Sequence, residues 1–434
     1  MARDTSLITV VGGTIRVWDG TANSIPANGT EALATSGDVA VLYAFGKIYF
    51  ADGTNYKVLN PETLLVSDWT PTAGSLPAVE ETKATIMRLY AGRVLLAGVS
   101  ADETVIYASA QGDPLDWLYG SSYDPAGAWA SDVGNFGRLN NPVTALYPIR
   151  DDYCLIGCAD ETWVLRGDPG FGGRLDNISL HTGVEGKDAV AVDPRGVVYF
   201  FGTNGFYRIT LPDGHAERLS QGRLDDTFRD IDVDDYAIRL AWNNRYQGVH
   251  IFLTKTDDSQ GTHYWFDART EGFWKDQYPS VAEPSAVLHY TSDTSTDRTV
   301  LIGSRDGIIR SFSEATDDDG ASEADVAIDS YVDMTPLVFG GSQQAILSDV
   351  NVVSSTDTDD VYIKARTGNS ALEAQSATTR WMKTTAKTGR SRRIVSRAGG
   401  NAIIVRVGNS TLAETWAVET VDGEFTQSGE VDVD

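Results

Sequence analysis

Short runs of apolar residues, continuous or alternating with polar ones and cut by Gly, Asn, Asp or Pro, recur along most of the chain. The clearest is residues 196–214, GVVYFFGTNGFYRITLPDG. Val197, Val198, Tyr199, Phe200 and Phe201 are β-branched or aromatic, as a pleated and largely buried strand prefers, and Asn204-Gly205 offers the positive φ angles of a tight turn. The pattern predicts a hairpin. Similar units are predicted at 7–20 about Gly12-Gly13, and at 38–69, 85–110, 142–167, 237–274 and 286–312, with Leu42-Tyr43, Leu89-Tyr90 and Leu146-Tyr147 as echoes near the end of a first strand. Two units share a second echo, Asn60-Pro61-Glu62-Thr63 leading to Trp69 and Asp267-Ala268-Arg269-Thr270 leading to Trp274. Repeats of about 40 to 50 residues with three or four short strands each are what propeller blades show. The expected fold is all-β: a β-propeller-like array of antiparallel blades over residues 1–315.

One amphipathic helix is expected at 220–230, capped by Ser220, with Leu224, Phe228 and Ile231 on one face. Residues 316–325 are acidic and small and read as a linker or loop. Asp317, Asp318 and Asp319 lack the alternating oxygen-ligand spacing of a calcium loop. Beyond them, alternating runs such as AIIVRV and TWAVETV predict a small antiparallel β-sandwich over 326–434. Between its strands lies the one basic cluster of the chain, with Arg390, Arg392, Arg393 and Arg397 as candidate subunit-interface residues that would meet an acidic neighbour. A DNA phosphate contact and a solvated loop are the other readings.

Charge changes this picture. With 61 acidic against 35 basic residues the formal charge is −26, so the surface repels phosphates and tight nucleic-acid binding is disfavoured. Repulsion also suits a conduit through which DNA slides without sticking. Cys154 and Cys158 share a strand face four residues apart and read as buried thiols rather than a disulfide or zinc pair. The first residues lack a signal-peptide apolar region, and no run approaches the roughly 20 apolar residues of a membrane helix. Synthesis in a cytoplasm without membrane insertion is expected.

Candidate chemistry adds little. His181, His215, His250, His263 and His289 stand in separate units with no paired spacing, and His250 and His263 fall on expected strands, where a packed imidazole is the ordinary role. Ser304-Arg305-Asp306-Gly307 lacks the spacing and closing Trp of an Asp-box and reads as a hairpin turn. No nucleophile elbow or phosphate-binding glycine loop occurs, and no catalytic, cofactor or metal residue is assigned. Glycoside cleavage or carbohydrate binding on a propeller is the alternative function, needing two carboxylates or exposed aromatics. Trp163 and Trp265, inside strand patterns, are expected in the core.

The order of motifs resembles the hub or nozzle proteins of short-tailed bacteriophages. It runs GKIYFADGTNYKVLNPET, LYAGRVLLAGV with VIYASAQGDPLDW, ALYPIRDDYCLIGCADETWVLRGD, then VYFFGTNGFYRIT. The family phrase after a Gly-Arg strand is matched by Ser109, Gly112, Asp113, Pro114 and Trp117, and the Arg-rich segment, AIIVRV and the Trp416 strand resemble the family's closing β domain. The resemblance covers nearly the whole chain. It implies a non-enzymatic structural protein of the virion tail, assembled in the host cytoplasm without cofactors. It also implies a homo-oligomeric, hexameric ring below the portal. Its partners would be the head-to-tail adaptor and tail fibre, spike or needle proteins, with genomic double-stranded DNA passing through transiently.

Overall fold

The structure is a computed structural model describing residues 7–20, 22–120, 124–133, 139–212, 214–291, 298–312, 318–320, 325–339, 343–355, 358, 360–376, 382–385 and 391–430. It divides into two compact units, Met1–Phe312 and Ser313–Asp434. In the stretch read as a linker, Asp318–Gly320 pairs with Asp325–Ala327 as a small antiparallel ladder, so it is not wholly unstructured chain.

Among the described residues the first unit holds seven antiparallel meanders in chain order. The second to sixth sheets have four strands each and begin with Ala40–Ala44, Ile86–Tyr90, Val143–Arg150, Val190–Val192 and Tyr236–Asn243. The first (Leu7–Val11, Thr14–Trp18, Asn23–Ser24) and the seventh (Pro284–Tyr290, Thr299–Ser304, Ile309–Ser311) have three.

Strand alternation explains how these sheets stack. Successive side chains point to opposite faces, so Ile48 and Phe50 meet Ile15 and Val17 of the first sheet, while Tyr49 and Ala51 meet Met87 and Leu96 of the third. Cys154, Ile156 and Cys158 face the third sheet, and Leu155 joins a core that runs through Val198, Phe206, Trp242 and Phe266 to the sixth. Phe252 then packs on Val300 and Ile302 of the seventh. Each sheet is thus buried by its neighbours in sequence. Both cysteines are free and buried, and burial pushes each thiol up to about 12.

Several expectations shift by one residue or one turn. In the 196–214 hairpin Asn204 and Gly205 both carry the expected positive φ, +143° and +155°, but Gly202 pairs with Gly205, so the two-residue loop is Thr203-Asn204. A Cβ on Gly205 would also lie 2.4 Å from Ser220 Oγ; backbone conformation and packing both demand glycine there. The Leu-Tyr echo is out of register: Tyr43 is exposed whereas Tyr90 is buried and takes the place of Ala44 beside an equivalent two-residue turn. One residue of offset moves a side chain to the other face. The second echo holds at the turn, where Asn60 and Asp267 accept from the amides of Glu62 and Arg269, but Trp69 is buried and Trp274 exposed.

The expected helix is confined to Asp225–Arg229. Gly222 at φ +71° interrupts the first turn, and Ser220 Oγ accepts from Phe206 N instead of capping. Phe228 is buried against Phe201, Tyr264 and Phe273.

In the second unit, two antiparallel sheets share a core. One contains Ser330–Asp333, Ala402–Asn409, Tyr362–Gly368 and Met382–Thr385; the other orders Ser391–Gly400, Gln343–Ser354 and Val418–Glu430. Leu347, Val350 and Val352 of the second face Ile363, Ile403, Val405 and Val407 of the first.

Candidate functional site

Five charged side chains from four sheets converge near the starts of first strands. Asp38 and Asp188 each stand two residues before such a strand, in the second and fifth sheets, with Lys187 beside the latter. Arg88 lies within the first strand of the third sheet and Arg239 within that of the sixth. Arg239 Nη2 donates to Asp38 Oδ1 at 2.6 Å. Arg88 Nη2 donates to Asp188 Oδ1 at 3.3 Å and to the Lys187 carbonyl at 3.0 Å. Lys187 Nζ reaches the Thr85 carbonyl at 3.4 Å. Burial pushes the Lys187 ammonium below its ordinary value; Asp38 and Asp188 oppose that, while Arg239 and Arg88 add to it. The cluster ties sheets far apart in sequence, and its three cations outnumber its two carboxylates.

A second polar knot lies between the third and fourth sheets. Arg93 is 1 % exposed and follows a two-residue turn. Its Nε donates to Asp168 Oδ2 at 2.8 Å, its Nη1 to the carbonyls of Ser109, Ala126 and Gly127, and its Nη2 to that of Pro125. The phrase matched by the bacteriophage resemblance folds around it. Ser109 Oγ accepts from Val94 N, Gly112 N donates to the Gly92 carbonyl, Asp113 Oδ1 accepts from Leu115 N, and the Pro114 carbonyl accepts from Nε1 of both Trp117 and Trp69. These residues hold the chain's own backbone. Sequence reasoning singled them out without showing that role.

Both strand histidines are buried. His263 Nε2 lies 2.9 Å from Glu283 Oε2, a pair pinning the sixth sheet to the start of the seventh. His250 stacks on Phe312 with ring centroids 4.3 Å apart, its Nε2 3.2 Å from Asn243 Nδ2. Burial holds the His250 imidazole below its ordinary value, and Asp276 pulls the other way. The unfolded chain therefore takes up this proton first, so stability present above about pH 6.5 is lost as pH falls through the folded value. His250→Phe is expected to flatten the loss of stability below about pH 6.5, by up to about 1.4 kcal/mol per pH unit. Urea unfolding at stepped pH checks this; an unchanged slope would remove His250 as its source.

No protein-family model and no curated relative matches the chain in sequence. Among solved structures, the extracellular domain of a hybrid two-component system from B. thetaiotaomicron aligns at TM-score 0.49 and 9% identity, over 90% of this chain and 46% of its own. The extracellular domain of a one-component system from B. thetaiotaomicron gives 0.45 and 12%, over 71% and 38%. PorZ, a surface component of the type-IX secretion system of Porphyromonas gingivalis, gives 0.38 and 14%, over 72% and 38%. The chain spans less than half the length of these proteins.

The remaining sequence candidates are placed as follows. Arg390 lies outside the described residues. Arg392, Arg393 and Arg397 fall in the strand Ser391–Gly400, where a connection between strands was expected, with Arg392 opposite Val352 and Arg393 opposite Asn351. Trp163 and Trp265 are half-buried rather than core. Among the described residues no group of three or more His, Cys, Asp or Glu could hold a metal ion, and no helix is long and apolar enough to cross a membrane. An opening of about 430 Å³ in the second unit is lined by Asp333, Met334, Pro336, Arg366 and Ile404. Its charged groups are engaged: Arg406 grips Asp333 at 2.6 and 2.7 Å, and Arg366 donates to the Ser376 and Gln375 carbonyls.

Proposed function

We propose that this chain is a structural subunit of a short-tailed bacteriophage tail hub or nozzle. In this reading the seven sheets are blades of a β-propeller, and copies close into a hexameric ring that continues the DNA-ejection channel below the portal and adaptor. The observation that carries the reading is the state of the two terminal sheets. On the face of the seventh turned from the sixth, Leu288 and Ile309 are 47% and 42% exposed. On the face of the first turned from the second, Val11 and Trp18 are 47% and 36% exposed. Among the described residues no hydrophobic cluster joins these two sheets. A head-to-tail ring requires two unlike patches on one subunit, and these are two. Burying a Leu or Ile side chain fully is worth about 1.5–3 kcal/mol. The −26 charge supports the same reading, since an acidic lumen lets duplex DNA pass with little adhesion.

Negative-stain imaging of the purified protein, alone and with adaptor-bearing particle ends, tests the reading. Closed rings with a central opening, or density added at those ends, are expected; monomers that never dock would sink it. The double variant Leu288→Asp/Ile309→Asp should lower the ring population about tenfold or more while its circular dichroism stays native. If rings form unchanged, the contact lies elsewhere, with the arginines at 390–397 next to be replaced by alanine. Turnover or affinity in a glycan screen of a monomer would favour the carbohydrate alternative.

A further inference from the structure

We infer that the cluster of Arg88, Lys187 and Arg239 binds a phosphate-type oxyanion. Five charges from four sheets meet there, and only two of them are negative. Asp188 is paired with Arg88 and Asp38 with Arg239, leaving the Lys187 ammonium with a single carbonyl at 3.4 Å and no carboxylate within ion-pair distance among the described residues. Arg239 is 6% exposed, and its Nη1 is buried without a hydrogen-bond partner. Nη2 of Arg239 is held by Asp38 at 2.6 Å, which restrains the orientation of the planar group that carries the unpartnered Nη1.

A buried N–H donor without an acceptor and an ammonium that no carboxylate of the described residues touches, though Asp38 and Asp188 act on it from further off, together point to an anion with several acceptor oxygens. Guanidinium forks match the tetrahedral oxygens of phosphate, and an ammonium adds a point charge. The Leu240 amide donates to the Asp188 carbonyl at 2.8 Å and Arg88 Nη2 to the Lys187 carbonyl at 3.0 Å, so the strands that carry Arg239 and Arg88 both adjoin the Lys187-Asp188 segment. Solvent has a way in. The side chains of Asp38, Asp188 and Arg88 are 53%, 38% and 22% exposed, so the partly open members of the cluster lie beside the buried ones. In a chain of charge −26 no long-range field draws an anion, and selectivity must come from these local donors. This inference does not depend on ring formation.

Titration calorimetry of the intact protein with inorganic phosphate, at constant ionic strength against chloride, tests it. Saturable phosphate binding that chloride does not reproduce is expected. Lys187→Met should weaken it about tenfold or more, and Lys187→Arg, which keeps the charge, should retain most of it. Circular dichroism of both variants establishes that they fold. No saturable binding beyond that of chloride, or equal affinity in Lys187→Met, would overturn the proposal. A short double-stranded oligonucleotide that competes with phosphate assigns the source to a nucleic-acid backbone; one that does not compete assigns it to the free anion.

Discussion

Arg93→Ala is expected to destabilise the first unit by about 3–5 kcal/mol. The guanidinium is almost wholly buried and is the shared donor for four carbonyls and the Asp168 carboxylate. Removing it leaves Asp168, only 8% exposed in its side chain, as a buried charge without its partner, and frees the backbone at 125–127 from the strand it is tied to. Lysine at this position is no repair. It supplies one point charge where a planar fork reaches several acceptors, so Arg93→Lys should recover less than half of the loss. Urea unfolding followed by tryptophan fluorescence measures it, with the two units treated as separate transitions. A midpoint within error of the parent would show that the carbonyls find water instead.

Trp117→Ala is the second large effect, about 3–5 kcal/mol. Trp117 is fully buried, meets Trp69 edge-on at 5.7 Å between centroids, and donates Nε1 to the Pro114 carbonyl at 2.8 Å. That carbonyl keeps a second donor in Trp69 Nε1, so the dominant loss is packing volume rather than an unsatisfied acceptor. Trp117→Phe separates the two: it removes the N–H but keeps most of the ring, and should cost less than half as much. Equal losses for Ala and Phe would instead place the energy in the hydrogen bond.

Much of the strand plan was legible because the apolar runs in this chain are bounded by residues that favour turns. The errors have local causes. Asn204-Gly205 looks like the two-residue loop of a hairpin, but Gly205 already pairs in the strand and is kept small both by its φ of +155° and by Ser220, fifteen residues away. The helix at 220–230 has a correct apolar face and was overextended because Gly222 adopts φ > 0. Arg93 stood in the Gly-Arg strand that precedes the motif phrase, yet burial of an arginine cannot be read from its neighbours in sequence. The charged cluster was missed for a different reason. Asp38 and Arg239 are 201 residues apart, and such a pair has no periodic trace. Its one visible signal was the aspartate placed immediately before an apolar run at both Asp38 and Asp188.

The two unpaired thiols of the fourth sheet give the molecule a clock. At neutral pH thiols pushed to about 12 hold almost no thiolate, and thiolate is the form that reacts. Neither Cys154 nor Cys158 is reachable while the third and fourth sheets stay in contact. The rate at which an alkylating reagent consumes them therefore counts how often these two sheets part, without any probe having to be added to the chain.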